Sequence, residues 1–354
     1  MKHNKILLLN PTLYRVTGVP ISLAVLSAVL KNDGFDVKVF DTAFYSSLNE
    51  SHQNELRESR MMSKKVEGED DSFQDNTTDM YQDLIDLIRD YSPTIIGVSL
   101  LEPTCQIGFS LCRKIKEVFP DSFIIAGGVF ATFSPEIVIK EASIDAVCVG
   151  EGEKPFLELC QTFTDSDDIP DIRGIWQKRN GQVFQNGMAP LNNLDELPHP
   201  DYSVFDKRLL YKPMQGRLYK MINVETTRGC PYQCTYCAAP NLTVLFQENE
   251  CGRYFRSMTM PMVIEQINYQ VEKYNPDFIY FSSEVFLSMP NKDFDAFIEY
   301  YSDVRIPFWF QTRIETINEE RLLALKEVGM HWLTIGIEHG NEEFRRSMLK
   351  RKYT

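Results

Sequence analysis

The residues best equipped for chemistry are Cys230, Cys234 and Cys237, in the run Cys230-Pro-Tyr-Gln-Cys-Thr-Tyr-Cys237. Three thiols at CxxxCxxC spacing on one tight loop can hold three corners of an iron–sulfur cubane. A 4Fe–4S cluster is normally held by four cysteine thiolates, so three leave one iron open to coordinate a substrate or cofactor. The competing chemistry is zinc, which asks for four nitrogen or sulfur ligands, usually as paired CxxC motifs or CxxC with two histidines. Only one further cysteine, Cys251, lies near, and no histidine lies between His199 and His331. The spacing therefore favours a cluster with one vacant position.

The loop follows a short apolar strand pattern, Leu218 to Val224, and the pair Arg228-Gly229. Beyond it, Phe278–Phe281, Pro307–Gln311 and Trp332–Ile337 read as strands, alternating with helices at Met260–Tyr274, Asp293–Ser302 and Glu319–Val328. This alternation predicts part of a barrel whose chemistry gathers at the carboxyl ends of the strands. Glu284, Arg313 and Glu338 fall at those ends.

Upstream, apolar runs at Lys5–Asn10, Asp36–Phe40, Thr94–Leu100, Phe123–Ala126 and Ala146–Val149 alternate with helical patterns at Ile21–Asn32, Tyr81–Tyr91, Thr104–Val118 and Pro135–Glu141. That predicts a doubly wound parallel sheet, whose ligands bind beyond the carboxyl ends of the strands. Ser99-Leu-Leu101, Gly127-Gly128 and Gly150-Glu-Gly-Glu153 lie there. Glycine removes the side chain where a ligand must touch main chain, although a serine and a glycine pair at strand ends also make ordinary tight turns. An acid-rich stretch, about 45–79, reads as an insertion, either a solvated excursion or a lid. Ile172–Trp176 and Gln182–Phe184, joined through Asn180-Gly181, read as a hairpin, followed by a proline-punctuated linker in which His199 is a linker residue rather than a ligand.

Bulk properties narrow the class. The formal net charge of −13 argues against a nucleic-acid surface. No apolar run approaches the roughly 20 residues of a membrane span. Eight cysteines, three clustered and five scattered, do not form a disulfide framework, so a reducing, cytoplasmic setting is expected.

The CxxxCxxC run, with Tyr236 immediately before its last cysteine, resembles the signature of the radical S-adenosylmethionine (radical SAM) enzymes. The three strand-end motifs ahead of it resemble a cobalamin-binding domain, and together they resemble the cobalamin-dependent radical SAM family. The resemblance implies an α/β chain of three parts. Residues 1–165 form a doubly wound cobalamin-binding-like domain, 166–215 a hairpin and linker, and 216–354 a partial (β/α)6-type radical SAM barrel. Because that barrel usually has six βα units, a sequence cut short at its C-terminus is expected. The implied cofactors are a 4Fe–4S cluster on Cys230, Cys234 and Cys237, S-adenosylmethionine (SAM) and cobalamin. Ser99, Leu101, Gly127, Gly128, Glu151 and Gly152 would line the cobalamin site. Tyr236, Glu284, Arg313 and Glu338 would serve SAM: Glu284 near its amino group, Arg313 on its carboxylate, Glu338 on its ribose. Two departures stand out: Ser282-Ser283 replaces the usual acidic pair, and no DxHxxG motif supplies a lower axial histidine, the first loop reading Asn10-Pro-Thr-Leu-Tyr-Arg15. The implied reaction is methylation of an unactivated carbon by way of cobalamin, after a 5′-deoxyadenosyl radical has removed a hydrogen. The substrate would be small or lipid-like, and the electron donor a flavodoxin or ferredoxin. A cyclisation, rearrangement or carbon–carbon coupling without methylation is the alternative within the superfamily. A cobalamin-binding module with a structural cluster is the alternative outside it. No catalytic residue is assigned.

Overall fold

Ile6, Leu7, Leu8 and Leu9 are at most 1% exposed, although successive residues of a strand point to opposite faces. A strand buried on both sides is an interior member of a parallel sheet. In the computed structural model this strand, β1 (Lys5–Asn10), pairs in parallel with β2 (Asp36–Asp41) on one side and β3 (Ile95–Ser99) on the other. The structure describes residues 4–12, 18–45, 76–163, 169–179, 181–214 and 216–353. They divide into two units, Met1–Asn192 with Pro200–Leu218, and Asn193–His199 with Tyr219–Thr354.

In the first unit the sheet continues through β4 (Phe123–Gly127) and β5 (Ala146–Cys148) to an antiparallel hairpin, β6 (Ile175–Arg179) and β7 (Gln182–Gln185), in the order β2-β1-β3-β4-β5-β6-β7. Helices α1 (Ile21–Asn32), α2 (Met80–Tyr91), α3 (Cys105–Val118), α4 (Val129–Phe133), α5 (Pro135–Lys140) and α6 (Glu153–Thr162) follow the strands. The parallel part has doubly wound order, and its topological switch lies between β1 and β3, where such sheets open a binding crevice. The hairpin expected within a separate connector is an extension of this sheet. The expected insertion leaves and returns at one place, since Tyr45 and Asn76 form a parallel bridge. Its interior, 46–75, lies outside the described residues, and so does the expectation of a lid.

A short strand, β8 (Tyr211–Met214), precedes the second unit. There β9 (Arg217–Val224), β12 (Phe278–Phe281), β13 (Phe308–Arg313) and β14 (Met330–Gly336) lie side by side in chain order, all parallel. Helices α8 (Met260–Tyr274), α9 (Asn291–Val304) and α10 (Glu319–Glu327) connect them. Aromatic rings lock one face: Phe281 meets Phe297 of α9 edge-on at 5.3 Å and Phe308 at 5.4 Å, in the T-shaped arrangement the ring quadrupole favours. The small antiparallel pair β10 (Thr227–Arg228) and β11 (Arg256–Ser257) frames the cysteine loop. Helix α7 (Ala238–Glu248) begins where that loop ends, and α11 (Glu342–Ser347) follows β14. Among the described residues no helix is long and apolar enough to cross a membrane.

The linker is pinned by charge in each unit. Asp195 accepts the Thr259 N–H at 2.8 Å at the start of α8, and His199 lies against Tyr269 and Glu265 of the same helix. In the first unit Asp201 accepts from Lys31 Nζ at 2.7 Å and from Ser27 Oγ at 3.4 Å, both on α1. Burial alone would raise the Asp201 carboxyl, but the hydrogen bonds from Lys31 and Ser203 outweigh it and hold it down at about 2. A carboxyl depressed below its ordinary 3.8 adds stability above that pH and loses it as pH falls through the folded value. Acid unfolding should therefore show a loss of about 2 kcal/mol between about pH 4 and pH 2. In Asp201→Asn, which cannot titrate, that part of the profile should flatten, as followed by urea unfolding at each pH.

Candidate functional site

In the second unit β9 delivers the chain to the cysteine loop, and Gly229 makes the bend. Its φ is +87°, and a Cβ there would stand 2.8 Å from the Tyr254 carbonyl oxygen, so only glycine fits. All three thiols are free, Cys234 buried and Cys230 and Cys237 half-buried. The Cys237 N–H bonds the Cys234 carbonyl at 3.2 Å. Cys237 is also the N-cap of α7, its sulfur accepting the Ala239 N–H at 3.5 Å, where the helix macrodipole favours negative charge. Burial pushes the Cys230 thiol up, partly offset by the Tyr232 N–H, while the Glu284 carboxylate adds to the rise and marks its nearness.

Among the described residues no three His, Cys, Asp or Glu side chains converge as ligands of a single metal ion. A cubane takes each thiolate at a different iron, so three free thiols on one loop fit the cluster.

The strand ends bring the other expected residues to this loop. Glu284 is exposed, yet partial desolvation by its neighbours raises its carboxyl. Ser283, fully buried, bonds Thr226 hydroxyl to hydroxyl, which explains why the departure from an acidic pair is tolerated: a carboxylate there would be buried without compensation. The Tyr236 ring is half exposed, and partial desolvation and a hydrogen bond to Glu338 raise its phenol. Glu338 in turn lies 3.7 Å from the buried Arg351 guanidinium. Thr235 of the loop donates to the Met348 carbonyl at 2.6 Å, just past α11. Arg313 departs from its expected setting. Its Nε and Nη2 pair with Glu315 at 3.3 and 2.5 Å, its Nη1 reaches Cys234 Sγ at 2.6 Å, and its plane lies over the Tyr232 ring at 3.8 Å. The bidentate edge foreseen for a ligand carboxylate is occupied by Glu315. Reading the sequence missed Glu315 and Tyr232, although Arg313-Ile-Glu315 carried an opposite charge two residues along.

In the first unit three strand-end loops are stitched together. Ser99 and Gly127 are paired in register, Leu100 N–H bonds the Gly127 carbonyl at 2.8 Å, and Phe130 N–H bonds the Leu100 carbonyl at 3.1 Å. Thr132 Oγ1 bonds the Gly128 carbonyl at 3.0 Å and accepts the Gly150 N–H at 3.1 Å. The two glycines differ in kind. Gly128 has φ +94°, and a Cβ would lie 2.7 Å from the Leu100 carbonyl, so the fold itself demands glycine. At Gly127 a Cβ would meet only Cys148, at an ordinary 3.7 Å, so the fold leaves room that a ligand could use. Leu101 and Val129 stand 50% and 46% exposed beside it, an apolar rim suited to a large, largely apolar macrocycle such as a corrin. Glu151 is engaged elsewhere: it accepts from the Asn192 N–H at 2.8 Å and from Asn192 Nδ2 at 3.0 Å, and Glu153 takes the same amide at 2.9 Å. Gly152 opens α6.

The B12 binding domain family model matches residues 63–160, and the radical SAM superfamily model matches residues 224–354. Both domains of the cobalamin-dependent radical SAM enzyme family are thus matched. It is 27% identical over 353 residues to an uncharacterized methyltransferase of Pyrococcus horikoshii, covering 96% of this chain and 66% of that one. It is 22% identical over 392 residues to cytidylyl-2-hydroxyethylphosphonate methyltransferase of Streptomyces wedmorensis, covering 99% and 68%. The fold matches the radical SAM methyltransferase TsrM from Kitasatospora setae with a TM-score of 0.67 at 16% identity, covering 97% of this chain and 60% of that one. The chain thus spans about two thirds or less of the length of these proteins. A cluster, SAM and cobalamin are the cofactors of this family.

Replacing Leu101 by Glu should leave folding intact, since the side chain is half exposed, and should weaken cobalamin retention by at least about tenfold, a buried unpaired carboxylate costing several kcal/mol. The visible spectrum of protein desalted after incubation with cobalamin reads this directly.

Proposed function

We propose that this chain acts as a cobalamin-dependent radical SAM methyltransferase on an unactivated carbon. The observation that carries the reading is the pairing of two sites: an intact three-thiol loop at the end of a parallel strand, and an apolar, glycine-lined edge at the carboxyl ends of β3, β4 and β5 in a doubly wound sheet. Two methyltransferases that align over nearly the whole chain add support.

When bound, the cluster and SAM supply the 5′-deoxyadenosyl radical, and cobalamin carries the methyl group. The chain's own residues bind and orient. Cys230, Cys234 and Cys237 would hold three irons and leave the fourth open. Glu284, whose charge is felt at Cys230, would take the SAM amino group, and Glu338, steadied by Tyr236 and Arg351, the ribose hydroxyls. Ser99, Leu101 and Gly127 would receive cobalamin, with Gly128 shaping the turn beneath it. The substrate is read as small or lipid-like, and the electron donor as a flavodoxin or ferredoxin.

Anaerobically reconstituted, reduced protein is expected to cleave SAM to 5′-deoxyadenosine, and Cys230→Ala, Cys234→Ala and Cys237→Ala each to fall to the no-enzyme background. Chromatographic quantification of 5′-deoxyadenosine measures both. A wild-type protein with a full cluster that cleaves no SAM would favour a cobalamin-binding module, and a Cys234→Ala protein that still cleaves would contradict the ligand assignment.

A further inference from the structure

We propose that Arg313 is a positioning residue for Cys234, and that its hydrogen bond to that sulfur raises the reduction potential of the cluster. The inference rests on the reading of Cys230, Cys234 and Cys237 as cluster ligands. A guanidinium only 5% exposed must be compensated on every side. Here Glu315 takes the Nε and Nη2 edge, the Tyr232 ring takes one face, and Cys234 Sγ takes Nη1. Two of these three partners, Tyr232 and Cys234, belong to the cysteine loop. The guanidinium therefore clamps the stretch between the first and second cysteines and donates a charge-assisted hydrogen bond to a ligand sulfur.

Such bonds, with local charge and solvent access, set the potential of an iron–sulfur cluster. A donor on the sulfur stabilises the extra electron of the reduced state, so Arg313 raises the potential. Glu315, fixed on the same guanidinium at 2.5 Å, offsets part of that charge and limits the rise. The pair is a graded setting: removing either member should move the potential, in opposite directions.

The test is an EPR-monitored redox titration of the reconstituted full chain without SAM, comparing wild type, Arg313→Gln and Glu315→Gln at equal iron and sulfide content. Arg313→Gln should shift the midpoint negative by about 59 mV or more, a tenfold change in the one-electron reduced-to-oxidised ratio. Glu315→Gln should shift it positive. A SAM-free midpoint unchanged in Arg313→Gln, with only the EPR response to added SAM weakened, would overturn the proposal and return Arg313 to the SAM carboxylate. If Arg313→Gln fails to hold its cluster, Glu315→Gln decides alone, an unmoved midpoint overturning the proposal. Failure of the wild type to assemble any cluster is a separate outcome that removes the ligand reading itself and the proposal with it.

Discussion

To serve three different irons, three sulfurs on one loop need bracing from more than the short stretch that carries them. Within Cys230–Cys237 the local bonds are the Cys237 N–H to the Cys234 carbonyl and the Tyr232 N–H to the Cys230 thiol. The rest of its bracing comes from distant chain. Gly229 is pressed against the Tyr254 carbonyl, Arg313 grips Tyr232 and Cys234, Met348 receives Thr235, and Glu338 faces Tyr236. Helix α7 starts on Cys237. Successive residues of the loop are thus fixed from distant parts of the chain, among them Arg313 and Glu338 at the ends of β13 and β14, which is why the loop stands beyond the carboxyl edge of a parallel sheet and not on an independent turn.

The first unit answers a different demand with a similar device. Hydrogen bonds among the loops after β3, β4 and β5 build an edge on which a planar macrocycle could lie. The bonds run through backbone and one threonine, Thr132, so the edge is rigid without bulk. Leu101 and Val129 are left outward. The carboxylates of the Gly150-Glu-Gly-Glu153 run serve the scaffold: both bind Asn192, which lies past the β6–β7 hairpin. That explains how an antiparallel hairpin is fastened to the edge of a parallel sheet.

The apolar strands and most helices were legible because burial on both faces writes itself as continuous Ile, Leu and Val, and helices as a 3.6-residue period. Helix α7 was not, because its N-cap is Cys237 where Ser, Thr, Asp or Asn would have signalled a start. The hairpin was found but placed early: Gly174, at φ +87°, turns the chain so that β6 begins at Ile175, leaving Ile172 to pack outside the ladder. At the sites, the cysteines and strand-end residues were readable by type and spacing. Their partnerships were not. Asn192 lies 41 residues from Glu151, and Cys234 lies 79 residues from Arg313, distances over which no local pattern carries information.

Arginine at position 313 illustrates what such partnerships require. A lysine ammonium is a compact point charge that could satisfy Glu315 or Cys234, with its stem left over Tyr232. The planar guanidinium offers two edges and a face at once. The edge holding Glu315 fixes the plane, the plane fixes the stacking on Tyr232, and the remaining Nη1 is then aimed at Cys234 without rotational freedom. Neutralisation by Glu315 is what allows so exposed-loving a group to sit buried beside a sulfur, and the direction of the bond to Cys234 follows from that neutralisation rather than from the sulfur itself. The ordering of the loop and the electrostatics at its second cysteine therefore share one cause.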